Sequence, residues 1–105
     1  MTVNRFDLYG TRRLDVEEAR TLVSDVIDVE LRLHDSSYQG EYYGGRDSGG
    51  RKIRVKVHGK DDEGYLDEED FPDYKTLIYI SGAASEDFPV LAGMDDIFLL
   101  RTDFH

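Results

Sequence analysis

Residues 15–34 read DVEEARTLVSDVIDVELRLH, and the spacing of the apolar residues changes within this stretch. Asp15, followed three residues later by Glu18, has the capping-box pattern of a helix start, and apolar residues then recur at helical spacing. Further on the period becomes two, as in a strand with one buried face. The stretch therefore predicts an amphipathic helix over 16–27 and a strand directly after it. The predicted buried face of that strand holds Val29, Leu31 and Leu33.

Five further strands are predicted outside this stretch. In 53–58 apolar and polar residues alternate, and Leu77–Ile80 is continuously apolar, which is typical of a strand covered on both faces. The glycine-rich segment 44–50 predicts a flexible hairpin turn before 53–58. The remaining predicted strands are 3–9, a short one near Tyr42, and 97–100.

The order of these elements predicts an α+β fold. We expect a mostly antiparallel sheet of five or six strands, with one main helix covering one face. A short second helix has room between Ser85 and Met94, although Pro89 restricts where it could begin. The chain of 105 residues is long enough for one compact domain, so we expect a single domain over 1–105.

Charge and cysteine content limit the classes of function. The net charge of −10 repels nucleic-acid phosphates and anionic membranes, so we expect neither as a partner. An acidic surface instead attracts a basic protein. The chain has no cysteine, which excludes disulfides and thiol catalysis and suits a reducing compartment. Its first residues lack a signal-peptide pattern, so we expect a cytoplasmic location.

Motifs for catalysis or metal binding are incomplete. An EF-hand aligned on Gly64 would put a glycine at its first ligand position, and in GGRDSGGRK, residues 44–52, Arg51 stands where a phosphate-binding loop needs lysine. That segment lies between two predicted strands, which favours a hairpin turn. His34, His58 and the C-terminal histidine belong to no recognised triad or metal motif. We therefore expect no enzyme, no cofactor and no metal site.

A basic segment, RKIRVKVHGK at residues 51–60, carries five Lys or Arg side chains. Alone it would suggest a nucleic-acid surface, but the acidic excess of the chain argues against that function. We expect its cations to pair across the sheet with acidic groups such as Glu30 or Glu41.

The acidic segment, DDEGYLDEEDFPDY at residues 61–74, holds eight carboxylates and no basic side chain. One interpretation is a hydrated loop that keeps the protein soluble. The interleaved aromatic residues favour a protein-binding surface, in which carboxylates steer a basic partner and tyrosines supply contact area. Two tyrosines near the glycine turn could extend this surface. The predicted partner-binding residues are Asp61, Asp62, Glu63, Tyr65, Asp67, Glu68, Glu69, Asp70, Asp73, Tyr42 and Tyr43.

With LDVEEARTLVSDVIDVELRLHDSSYQGEYY at residues 14–43, this small, acidic, cysteine-free chain resembles bacterial immunity proteins of contact-dependent growth inhibition and polymorphic toxin systems. The resemblance implies an inhibitor that binds and neutralises a cognate toxin domain, often a basic nuclease. An alternative is a small-ligand-binding or regulatory module that uses the uncovered sheet face and the loop from Tyr38 to Gly50. An enzyme would need His34 or His58 in a cleft with an oriented carboxylate.

Overall fold

The computed structural model describes residues 3–36, 40–59, 66, 68–85, 88, 90, 91, 93, 94 and 96–105. Six strands form one sheet in the order β2-β3-β4-β5-β1-β6, and every neighbouring pair is antiparallel. The predicted α+β class is confirmed. The elements are β1 (Asn4–Thr11), α1 (Val16–Ile27), β2 (Arg32–Ser36), β3 (Gly40–Arg46), β4 (Lys52–Val57), β5 (Thr76–Ala83) and β6 (Ile97–Phe104).

The helix α1 starts and ends at the residues that the sequence predicts. The backbone N–H of Glu18 donates to the Asp15 carboxylate at 2.8 Å, and the Asp15 N–H donates to the Glu18 carboxylate at 3.2 Å. This reciprocal pair satisfies two N–H groups at the helix start. The helix ends at Asp28, which has the left-handed φ of 59°. This left-handed conformation of Asp28 lets the chain turn back towards the sheet.

One face of the sheet packs against α1. Ala19 and Val23 are fully buried on the helix, and they belong to one cluster with apolar side chains of the central strands. Each fully buried aliphatic side chain stabilises the fold by about 1.5–3 kcal/mol. The sheet residues of this cluster that are at most 2% exposed are Tyr9, Ile53, Val55, Ile78, Ile80 and Ile97.

The strand β5 lies in the interior of the sheet, between β4 and β1. Ile78 and Ile80 are buried on the helix side, and Leu77 is buried on the other side. The prediction that Leu77–Ile80 is covered on both faces is confirmed for Leu77, Ile78 and Ile80, whereas Tyr79 is only half-buried. On the face away from α1, Leu8 is also buried, so this face is covered in part without a helix.

Two glycines that predicted a turn lie inside β3 instead. A Cβ at Gly45 would collide with the carbonyl oxygen of Glu30, where the chain between α1 and β2 crosses the helix side of the sheet. On the other face, a Cβ at Gly44 would lie 2.9 Å from the ring of Tyr42. Both glycines thus permit close approach within a strand. The predicted turn over 44–50 was too long, and the chain reverses only after Arg46.

Two other predictions need correction. Val29 and Leu31 are buried as predicted, but β2 begins only at Arg32, and Leu33 is 56% exposed because β2 is an edge strand. Between Ser85 and Met94 the described residues form turns and irregular chain, and none of them is helical. Residues 86, 87, 89 and 92 lie outside the described residues.

Candidate functional site

We call the sheet face away from α1 the open face. Because side chains alternate along a strand, the registers determine which residues share this face. Six basic residues from four strands lie on it, although the chain as a whole has a net charge of −10. They are Arg32, Arg46, Lys52, Arg54, Lys56 and Arg101.

The expected pairing of the basic strand with Glu30 or Glu41 was wrong. Glu30 pairs with Arg32 at 3.3 Å, and Glu41 lies opposite Asp35 on the helix side of the sheet. The cations of β4 point to the other side, where Arg54 lies between Gly44 and Tyr79. The alternation in the sequence was sufficient to place these cations on one face, but it did not identify their neighbours.

Glu68 lies over the open face and is bonded within the protein. Its carboxylate accepts from the Tyr79 hydroxyl at 2.9 Å and from Arg101 at 3.2 Å, and its side chain is only 15% exposed. Tyr79 and Arg101 flank Leu8 in the registers of β1, so the three polar side chains cover Leu8. Burial lowers the pKa of Arg101, but the carboxylates of Glu68 and Asp103 outweigh it and raise that pKa above its ordinary value.

His58 holds the acidic segment in place. The backbone N–H of Glu68 donates to its Nε2 at 3.1 Å, and Nδ1 lies 2.8 Å from the carbonyl oxygen of Tyr74. Nε2 must therefore be unprotonated and Nδ1 must carry the hydrogen. His34 is exposed on β2 and its ring stacks on Tyr42. Neither histidine makes a hydrogen bond to a carboxylate in the described part of the chain.

Three other predicted carboxylates face solvent. Glu69, Asp70 and Asp73 lie in the two turns that precede β5, and all three are exposed. None of them forms an ion pair with another described residue. The remaining acidic or tyrosine predictions in this segment, Asp61, Asp62, Glu63, Tyr65 and Asp67, lie outside the described residues.

Three aromatic rings run beside these carboxylates, and we call them the aromatic row: Phe71, Tyr74 and Phe98. Phe71 and Tyr74 are 6.3 Å apart between ring centroids, and Tyr74 and Phe98 are 6.4 Å apart, both edge to face. The Tyr74 ring lies above Gly10, where a Cβ would come within 2.8 Å of it. Phe98 is 43% exposed, and the guanidinium of Arg12 lies 4.5 Å from the Tyr74 ring centroid. The row is thus anchored to the sheet and partly open to solvent.

The two neighbouring tyrosines of β3 point to opposite faces. Tyr43 lies on the helix side, where its hydroxyl donates to the Glu17 carboxylate and Arg20 lies 4.8 Å from its ring centroid. The hydrogen bond to Glu17 raises the pKa of Tyr43. Tyr42 lies on the open face against His34, with ring centroids 5.2 Å apart. Tyr42 and Tyr43 therefore cannot extend one surface, and β4, β5 and β1 separate Tyr42 from Phe98 on β6.

The sequence alone did not predict the aromatic row as a unit. Phe71 and Tyr74 belong to the acidic segment, but Phe98 comes from the last strand, and it reaches them only because β6 pairs with β1. The hydrophobic pattern of 97–100 predicts a strand without specifying its neighbour. The available signal was a phenylalanine near the start of that strand, but its exposure is known only from the structure.

Comparison with known proteins gives no relative for this chain: no family model, curated protein or solved structure matches it. Within the described residues, no group of three or more His, Asp or Glu side chains is placed to hold a metal ion. No helix in the described part of the chain is long and apolar enough to cross a membrane.

Proposed function

We propose that this protein is an immunity-type inhibitor that acts in the cytoplasm by binding a cognate toxin domain with a basic surface. The observation that carries the proposal is the aromatic row, in which Phe71 and Tyr74 each follow an exposed aspartate in the chain, Asp70 and Asp73. Large rings with a charged rim are typical of the centre and edge of a protein interface. The proposed partner is a basic nuclease domain, whose substrate groove binds phosphates.

The two kinds of side chain have different roles in this proposal. Glu69, Asp70 and Asp73 attract the basic partner over a distance, which raises the association rate. Phe98 and its neighbouring rings exclude water on contact, which lengthens the lifetime of the complex. Occupation of a phosphate-binding groove by carboxylates blocks the substrate, so the inhibitor needs no catalytic group.

The local structure supports recognition by a rigid surface. Tyr74 is seated over Gly10, and Glu68 is fixed by Tyr79, Arg101 and the ring of His58. Side chains that are already ordered lose less conformational entropy on binding. Glu68 thus positions the segment, while the next residues along the chain remain available to a partner.

A charge-reversal experiment with the proposed toxin domain tests this proposal. We expect the triple variant Glu69→Lys, Asp70→Lys and Asp73→Lys to slow association about tenfold or more at low salt, because it removes the steering field. The difference should shrink at high salt, since mobile ions screen exposed charges. Stopped-flow association rates measure both effects.

The matched control reverses three exposed carboxylates elsewhere, by Asp25→Lys, Asp35→Lys and Glu41→Lys. It changes the net charge by the same amount, so a purely global effect of charge would slow association equally. Equal slowing by the two triple variants would contradict recognition through the aromatic row. A second test combines the first triple variant with Phe98→Ala. If this combined variant still protected toxin-expressing cells fully, recognition through the aromatic row would be contradicted as well.

A further inference from the structure

We propose that the open face holds a second site, a groove that runs from β2 across β3, β4 and β5 to β1 and binds a nucleoside diphosphate. This inference does not depend on the proposed inhibitor function. The groove has a volume of about 590 Å³, which is within the range of roughly 300–1,000 Å³ typical of small-molecule sites. Along the strands, the rings of His34 and Tyr42 lie at one end, and Arg46 and Lys52 lie at the other end together with Phe6. Arg54 lies between the two ends. The lining residues used below are His34, Tyr42, Arg46, Lys52, Arg54 and Ser81.

The cationic end consists of Arg46 and Lys52, which lie directly opposite each other in the β3–β4 register. Like charges in this position repel, so the pair destabilises the hairpin. Both side chains are exposed, and neither forms an ion pair with another described residue. The chain carries 23 acidic residues, yet none of the described ones neutralises this pair. A bound diphosphate would supply the missing negative charge, and the Ser81 hydroxyl beside Lys52 could donate to it.

The aromatic end consists of the stacked rings of His34 and Tyr42, whose planes differ by 12°. Gly44 leaves room beneath them, since a Cβ there would lie 2.9 Å from the Tyr42 ring and 3.4 Å from the His34 ring. The guanidinium of Arg54, which also lines the groove, lies 6.0 Å from the Tyr42 ring centroid. A planar base can stack on such rings irrespective of its hydrogen-bonding pattern.

The spacing of the two ends favours a nucleotide over a simple anion. Tyr42 and Arg46 lie on the same face of β3, four residues apart, so their Cα atoms are separated by about 13 Å. A ligand that contacts both needs a ring system at one end and phosphates at the other. A long nucleic acid is disfavoured, because its backbone would extend over the acidic remainder of the protein.

Calorimetric titration of the full chain with ADP, GDP, pyrophosphate and adenosine tests the inference. We expect saturable binding of ADP and GDP, with pyrophosphate and adenosine each at least about tenfold weaker, because each contacts only one end of the groove. The variant Arg46→Gln/Lys52→Gln should bind ADP about tenfold or more weakly, and Tyr42→Leu should weaken adenosine and ADP but not pyrophosphate.

Lys75→Gln is the control for the loss of an exposed cation elsewhere, and it removes one positive charge against two in the double variant. Lys75 is exposed in the segment before β5, away from the groove lining. It should leave ADP affinity unchanged. Thermal unfolding checks the fold, and the Arg46→Gln/Lys52→Gln variant should be no less stable than the wild type, since it removes a repulsion. Three results would overturn the inference: no saturable binding of ADP or GDP at millimolar concentration, equal affinity for ADP and pyrophosphate, or equal loss of ADP affinity in the Lys75→Gln control.

Discussion

Asp47 organises the turn between β3 and β4. Its carboxylate is 2% exposed and accepts from the Gly49 N–H at 3.0 Å, from the Arg51 N–H at 2.9 Å and from Arg51 Nε at 2.5 Å. Burial alone would raise the pKa of Asp47, but the hydrogen bonds and the charge of Arg51 outweigh it, and the pKa is lowered. One side chain thus fixes the end of the hairpin that carries Arg46 and Lys52.

We expect Asp47→Asn to lower the free energy of unfolding by about 1–3 kcal/mol at neutral pH, because it leaves Arg51 Nε without its anionic partner. Urea unfolding measures the change. Ser48→Ala, in the same exposed turn, is the control and should have little effect. A loss no larger than that of the control would show that the carboxylate does not organise the turn.

The same variant has a defined pH dependence. The pKa of Asp47 is lower in the folded than in the unfolded chain, so its contribution is present above about pH 3.9, the ordinary value for Asp. The contribution is lost as the pH falls below that value towards the folded-state pKa. The difference in stability between wild type and Asp47→Asn should therefore be constant near neutrality and shrink below about pH 3.9. A difference that grows on acidification would contradict the lowered pKa.

Among the elements, β3 depends most on small side chains. Its two consecutive glycines serve opposite faces: Gly45 lets the chain at Glu30 cross, and Gly44 makes room for Tyr42. A backbone carbonyl cannot rotate away as a side chain does, so the contact at Gly45 is the more restrictive one. The strand must keep glycine there for residues 29–31 to reach the core.

We expect Gly45→Ala to destabilise the fold by about 1–3 kcal/mol, because the added methyl group would collide with the backbone at Glu30. Gly49→Ala is a matched control in the neighbouring turn, where the closest atom to an added Cβ is 3.4 Å away. Thermal or urea unfolding of the two variants compares them. If both lost the same stability, loss of glycine flexibility rather than the crossing at Glu30 would be the cause.

The elements also show how far the sequence determines the fold. The limits of α1 could be predicted because the capping box and the apolar spacing are local features. The exposure of Leu33 could not, because it depends on β2 being at the edge of the sheet. Likewise, the alternation in β4 predicts that its cations share one face, but it does not predict that Arg46 of β3 lies opposite Lys52. The aromatic row could not be predicted either, because Phe98 reaches the other two rings only through the pairing of β6 with β1.

At the scale of the whole molecule, the open face is divided by charge. The side towards β2 holds the groove with Arg46 and Lys52, and the side towards β6 holds the aromatic row with Glu69, Asp70 and Asp73. The Glu68–Arg101 pair lies over β1, on the side of the aromatic row. The outer face of α1 has its own exposed carboxylates, Glu17, Glu18 and Asp25, and Arg20 is the sole basic residue of this helix. The molecule thus has two candidate surfaces for a basic partner. One is the aromatic row with its neighbouring carboxylates, and the other is the outer face of α1.

Hydrogen–deuterium exchange on the complex with the cognate toxin domain decides between these surfaces. We expect slower exchange in segments 68–75 and 97–99 when the toxin domain binds, with no change in Val16–Ile27. Slower exchange confined to Val16–Ile27, with 68–75 and 97–99 unaffected, would contradict binding through the aromatic row.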